Sequence, residues 1–140
     1  MGCAGVPKPD VPNAVKWNGH WYAVLPPANW DAAKQKCEQL GGHIAYVETE
    51  SEHRFITELA KNTPERVELQ AVWLGGSDEK SEGEWFWLNG KPIKTNFWHE
   101  GEPNNQGGGP GEDYLWLEWS TGTWNDVHAG YEAPVVCEWE

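Results

Sequence analysis

The apolar period changes once along the chain, near Val72, and that change limits the possible folds more than any other feature. Before it, Trp30, Ala33, Cys37 and Leu40 recur at i, i+3, i+7 and i+10. This spacing predicts an inward-facing helical stripe, capped by Asn29 and stopped by Gly41-Gly42. Thr49, Glu50, Ser51 and Glu52 have capping-box spacing. They predict a second helix that carries Phe55, Ile56, Leu59 and Ala60 and ends before Pro64. A β-rich run at 20–25 predicts an edge strand halted by Pro26-Pro27, and 44–47 predicts another short strand. After Val72 come short strands between Gly, Asn and Pro turns, at 72–74, 84–88, 114–119 and 134–139. Two helices followed by strands predict an α+β fold. No repeat of 20 to 50 residues recurs, which excludes solenoids and propellers.

The 140 residues suffice for one domain. Residues 1–16, with Pro7, Pro9 and Pro12 and no periodicity, read as an N-terminal tail or linker, and 17–140 as the folded domain. Twenty-two Asp+Glu against 10 Lys+Arg give a net charge of −12. That charge repels phosphate backbones and anionic lipid, so nucleic acid and membrane insertion drop out as partners. No run approaches 18 apolar residues, and the first 15 residues lack the apolar centre of a signal peptide. Of the three cysteines, Cys37 and Cys137 fall in the structured part. Read from the residues alone, they are either a long-range bridge in an oxidising compartment or two buried thiols in a reducing one. Cys3 reads as an unpaired thiol in the tail or the remnant of a lipid-attachment site.

The segment 95–113 has neither helical nor strand pattern, and loops of this length in compact domains usually carry function. It holds Glu100, Glu102, Asn104, Asn105, Glu112 and Asp113, and Asn125-Asp126 follows on a strand pinned by Trp124. These side chains offer only carboxylate and amide oxygens, a donor set for a hard cation such as calcium rather than for zinc or copper. Glu102 and Glu112 could also be read as a glycosidase pair. General acid catalysis, however, needs one carboxyl kept protonated, and amides and further acids surround these two. The chain therefore does not read as an enzyme. The 11 Trp mostly fit core positions: Trp30 on a helix stripe, and Trp73, Trp85, Trp87, Trp116 and Trp124 in strands. His20, His43 and His53 read as structural.

Several motifs in order then carry a specific resemblance. Trp73-Leu74-Gly75-Gly76, Trp98 four residues before Glu102, Glu102-Pro103-Asn104, Gly111-Glu112-Asp113 and Trp124-Asn125-Asp126 together resemble the C-type lectin domain over about residues 17–140. The resemblance implies a C-type lectin-like fold: two helices plus short antiparallel strands with a long calcium-binding loop. It pairs Cys37 with Cys137 as the family's long-range disulfide and so points to an extracellular or cell-surface location. It implies one calcium held by Glu102, Asn104, Glu112, Asn125 and Asp126. The same residues would bind glycans with vicinal equatorial hydroxyls of the mannose, glucose, N-acetylglucosamine or fucose type. Trp98, His99 and His128 flank that site as candidate sugar contacts. An auxiliary calcium site would fall on Asp78, Glu82, Asn105 and Asp113. The family's inner disulfide would need cysteines at Tyr114 and Ala129, where none stands. The alternative within the same fold is a lectin-like domain that binds a protein or another non-sugar ligand, with calcium only ordering the loop. No heptad repeat is present to specify an oligomer.

Overall fold

The computed structural model describes residues 7–63, 70–81, 83–102 and 113–140. Among these, the helices are α1 (Trp30–Gln39) and α2 (Glu50–Lys61). The strands are β1 (Val15–Trp17), β2 (His20–Ala28), β3 (His43–Ile44), β4 (Ala71–Ser77), β5 (Phe86–Trp87), β6 (Tyr114–Glu118), β7 (Thr123–Val127) and β8 (Ala133–Trp139). They form one sheet in the order β1-β2-β8-β4-β6-β7, with β3 added to β8 and β5 to β4. Pairing is antiparallel except between β4 and β8, which run parallel at Trp73 and Val135.

Side chains alternate across a sheet, and each face here builds its own core. Tyr22, Val24, Val72, Leu74, Leu115, Leu117, Trp124 and Val136 lie on one face and pack with Ile56 and Ala60 of α2. Ala23, Leu25, Trp73, Trp116, Val135 and Cys137 lie on the other and pack with Trp30, Ala33 and Cys37 of α1. Two-sided burial explains why β4 and β8 read as continuous apolar runs rather than alternating ones. Both helices start as their sequence requires. The Asn29 side chain accepts from the Ala32 amide and the Thr49 side chain from the Glu52 amide. The Glu52 carboxylate accepts from the Glu48 amide at 2.8 Å, one residue further out than the capping box predicts. Cys37 and Cys137 are bridged, with Cα atoms 5.6 Å apart, so α1 is tied to the central strand β8.

The structure corrects three expectations about the strands. β2 does not stop at Pro26-Pro27 but runs on to Ala28, and it lies between β1 and β8 rather than at an edge. The prolines fall where the β2–β8 register shifts between Leu25 and Ala28, and β1 covers only 20–22, so no ladder donor is lost there. At 44–47 only Ile44 is ladder-paired, in β3, while Ala45 continues by donating to Val136. β1 begins at Val15, two residues ahead of the boundary placed at Trp17. It turns into β2 through Asn18 and Gly19, at φ 50° and 84°, the left-handed pair that a two-residue hairpin demands.

Candidate functional site

β7 is the outermost strand of the main path, and it carries Asn125 and Asp126 immediately after the buried Trp124. A ribbon from the preceding loop is fastened along it. The Trp124 amide donates to the Phe97 carbonyl at 2.7 Å, and the His99 amide donates to the Trp124 carbonyl at 2.9 Å. The chain then turns at Gly101, φ 85°, where the Glu102 amide donates to the His99 carbonyl at 2.8 Å. Glu102, half-buried, is thus held in a tight turn based on the strand that bears Asn125 and Asp126. Asn104 and Glu112, the other two members of the predicted set, lie outside the described residues, as do Glu82 and Asn105 of the auxiliary set.

The remaining acids converge at the ends of β4 and β6. Asp78 follows β4, is 3% exposed, and its amide donates to the carbonyl of Asp113, the residue just before β6. Its Oδ2 accepts from the Gly83 amide at 2.8 Å. Burial raises the Asp113 carboxyl above its usual range, and so do a hydrogen bond to Asp78 and the charges of Asp78 and Asp126. His128 acts on it in the opposite direction. Asp113 therefore feels the charge of two other aspartates, Asp78 and Asp126, both almost fully buried. Gathered carboxylates with one histidine in opposition make an all-oxygen, anionic donor set, which fits a hard dication. No imidazole or thiolate geometry typical of zinc accompanies it among the described residues at this end.

Among the candidate sugar contacts, Trp98 packs edge-on against Trp85 and Trp124, with ring centroids 4.9 and 5.6 Å apart. His99 is exposed and lies 3.5 Å from the Thr123 hydroxyl, while His128 is half-buried beside Tyr131. The sequence reading passed over Phe97 and took His53 only as structural. Phe97 supplies the carbonyl that anchors β7, and its ring stacks at 3.9 Å on His53 of α2, whose Nε2 donates to the Gly122 carbonyl. An aromatic residue inside an otherwise polar loop was the available signal for Phe97.

Comparison with known proteins now decides the family. The profile described as the Lectin C-type domain matches residues 27–139. This chain belongs to the C-type lectin domain family. It is 35% identical over 120 residues to a hepatic lectin of Gallus gallus, covering 84% of this chain and 53% of that protein, so it spans about half of that relative. It is 37% identical over 122 residues to salivary C-type lectin 2 of Aedes albopictus, covering 79% of this chain and 77% of that protein. The carbohydrate-recognition domain of the mouse scavenger receptor C-type lectin superposes with a TM-score of 0.80 at 28% identity, covering 92% of this chain and 94% of that one. The cow CD23 domain, determined in the presence of a GlcNAc2Man3 oligosaccharide, gives 0.78 at 28% identity, covering 97% and 96%. A Ca2+-dependent antifreeze protein, at 20% identity, shares the fold alone. The α+β expectation, the lectin-like fold and the Cys37–Cys137 bridge all hold. C-type lectin domains generally bind carbohydrate, typically with calcium, are binding proteins rather than enzymes, and are generally extracellular or on cell surfaces. No helix among the described residues is long and apolar enough to cross a membrane.

Proposed function

We propose that this C-type lectin domain binds carbohydrate in a calcium-dependent manner, through sugars with vicinal equatorial hydroxyls of the mannose, glucose, N-acetylglucosamine or fucose type. The observation that carries the reading is the tethering of Glu102 alongside the strand bearing Asn125 and Asp126, with Asp113, hydrogen-bonded to Asp78, close enough to Asp126 to feel its charge. Glu102, Asn104, Glu112, Asn125 and Asp126 would hold the ion, with Asp78, Glu82, Asn105 and Asp113 as the auxiliary set. When bound, calcium supplies coordination positions that two neighbouring sugar hydroxyls can fill.

The protein's own part is hydrogen bonding. Ionised Glu102 and Glu112 only accept, so each would accept a hydrogen bond from a sugar hydroxyl, while the amide groups of Asn104 and Asn125 would donate to the hydroxyl oxygens. A sugar whose vicinal hydroxyls are mis-set leaves at least one of these desolvated groups unpaired, at a cost of about 1–3 kcal/mol. By its resemblance to the family's mannose-type motif, the order Glu-Pro-Asn at 102–104 favours these sugars over galactose-type pairs. The bridge between Cys37 and Cys137 agrees with an oxidising, extracellular or cell-surface location.

Calorimetry tests the reading: mannose titrated into the calcium-loaded domain, with galactose and a chelator as controls. Heat from mannose that disappears with chelator and is absent with galactose is the expected result. Calcium uptake without mannose heat overturns the sugar assignment in favour of a protein or other non-sugar ligand. Absence of calcium uptake overturns the site itself.

A further inference from the structure

β2 and β8 carry a second polar cluster on the opposite flank of the sheet from β7. Three strand steps, β8 to β4 to β6 to β7, lie between the strand of Glu138 and the strand bearing Asn125 and Asp126, about 14 Å at about 4.8 Å per step. Glu138 stands inside an otherwise apolar strand and is 2% exposed. Its Oε2 lies 2.7 Å from His20 Nδ1 and accepts from the Tyr22 hydroxyl at 3.3 Å, and its Oε1 accepts from the Tyr46 amide at 3.1 Å. Two residues on, and so on the same side of the chain, Glu140 meets His43 Nε2 at 2.5 Å. The His43 ring is fixed in turn by donating from Nδ1 to the Ile44 carbonyl. One donor atom from each of His20, Glu138 and Glu140 lies within 4.8 Å of the others.

We propose that His20, Glu138 and Glu140 form an open three-ligand site for a zinc-type divalent ion, separate from the candidate calcium site. The donor chemistry selects the metal: one imidazole nitrogen and two carboxylate oxygens suit a borderline ion of low coordination number, whereas calcium takes six to eight oxygens. Zinc bonds of about 2.0 Å put tetrahedral ligand atoms about 3.3 Å apart. The present separations bracket that value, from 2.7 Å for the His20–Glu138 pair to an upper bound of 4.8 Å for the group. Closing the site requires movement only of His20 and Glu140, whose side chains are 34% and 45% exposed. The buried ligand is already oriented by Tyr22 and Tyr46, and the exposed carboxylate by His43, the second layer of contacts that metal ligands require. Glu52, which accepts from the Tyr22 hydroxyl at 2.7 Å, adds further negative charge near Glu138.

The test is calorimetric titration of zinc chloride into the intact chain, near neutral pH and with calcium in excess. The expected result is uptake of one zinc ion, weakened at least about tenfold by His20→Ala and by Glu140→Gln and unchanged by Glu102→Gln. Both ligands mutated are partly exposed, and thermal melts of the metal-free variants report whether each has folded. Failure of the unmodified chain to take up zinc in the presence of calcium overturns the proposal. So does zinc uptake that survives both substitutions, or that is lost with Glu102→Gln.

Discussion

Replacing Gly75 by alanine isolates one contact that the fold cannot relax. A Cβ at this position would lie 2.7 Å from the Ile44 carbonyl oxygen and 3.1 and 3.2 Å from two ring carbons of Tyr46. Neither neighbour is free to retreat. Ile44 pairs with Cys137, the bridged residue of β8. Gly75 itself donates to the Ala45 carbonyl and accepts from the Leu88 amide, both at 2.9 Å. Backbone must therefore separate from backbone, and overpacking of this kind costs about 1–3 kcal/mol, with Gly75→Ala expected at the upper end. Two further glycines calibrate the effect. At Gly76 the nearest obstacle is Ile93 Cδ1 at 2.9 Å, the end of a side chain that can swing, so Gly76→Ala should cost about 1 kcal/mol. At Gly130 nothing lies within 4 Å, so Gly130→Ala should be neutral or stabilise by about 0.5 kcal/mol through the unfolded chain. Urea unfolding at fixed calcium, followed by tryptophan fluorescence, reads the series. With a slope of about 2 kcal/mol/M, Gly75→Ala should lower the midpoint by about 1.5 M at unchanged slope. A Gly75→Ala protein as stable as Gly130→Ala would refute the assignment of that approach between β4 and β3.

Replacing both Cys37 and Cys137 by alanine releases a loop with a sequence separation of 100, and chain entropy sets the loss at about 4–5 kcal/mol, measurable in the same urea series. Burial lowers the pKa of His53 despite its hydrogen bond to Gly122 and the charge of Glu50. A histidine depressed in the folded state contributes stability that is complete above about pH 6.5 and lost as the pH falls through the folded value. NMR titration should place the ring below 6.5, and His53→Gln, which retains a donor for the Gly122 carbonyl, should flatten this part of the stability profile. A ring that titrates above 6.5 contradicts the packing described for Phe97 and His53. Glu102→Gln combined with Asn104→Asp exchanges donor and acceptor sides and should move calorimetric preference from mannose towards galactose while calcium still binds.

The helices were legible because their signals are local. Asn29, Thr49 and the 30, 33, 37, 40 stripe depend on no distant partner, and α1 and α2 appear where these residues put them. The strands were less legible because their ends depend on who sits alongside. Pro26-Pro27 read as a stop only because the register shift that accommodates them in β2 involves β8, more than 100 residues later. The Asn18-Gly19 turn that joins β1 to β2 was a local signal, and it was passed over because the strand before it begins inside the segment 1–16, judged by its prolines. Motif order named Asp78, Glu102, Asp113, Asn125 and Asp126 as candidates, but not what holds them: the ribbon on β7 rests on backbone bonds from Phe97 and His99, which no side-chain pattern encodes. Glu138 was missed for a related reason. A glutamate between Cys137 and Trp139 breaks an apolar run, yet its meaning depends on His20 from the first hairpin.

The position of the candidate calcium site follows from the core beneath it. Asn125 and Asp126 extend directly from Trp124, which is fully buried and meets Trp87, Phe97 and Trp98 edge-on at centroid distances of 5.9, 5.3 and 5.6 Å. The rings come from three parts of the support: Trp87 from β5, Phe97 and Trp98 from the loop base, and His53, at 6.2 Å, from α2. Aromatic contacts of this kind contribute about 0.5–1.5 kcal/mol each beyond burial, and they lose that energy together if the loop base shifts along β7. The same backbone bonds that place Glu102 therefore also seat the Phe97 and Trp98 rings, so the donor geometry cannot loosen without opening the core. An oxygen-ligand site assembled from a long loop needs such a floor, because the loop's own sequence supplies donors but no packing to hold them in place.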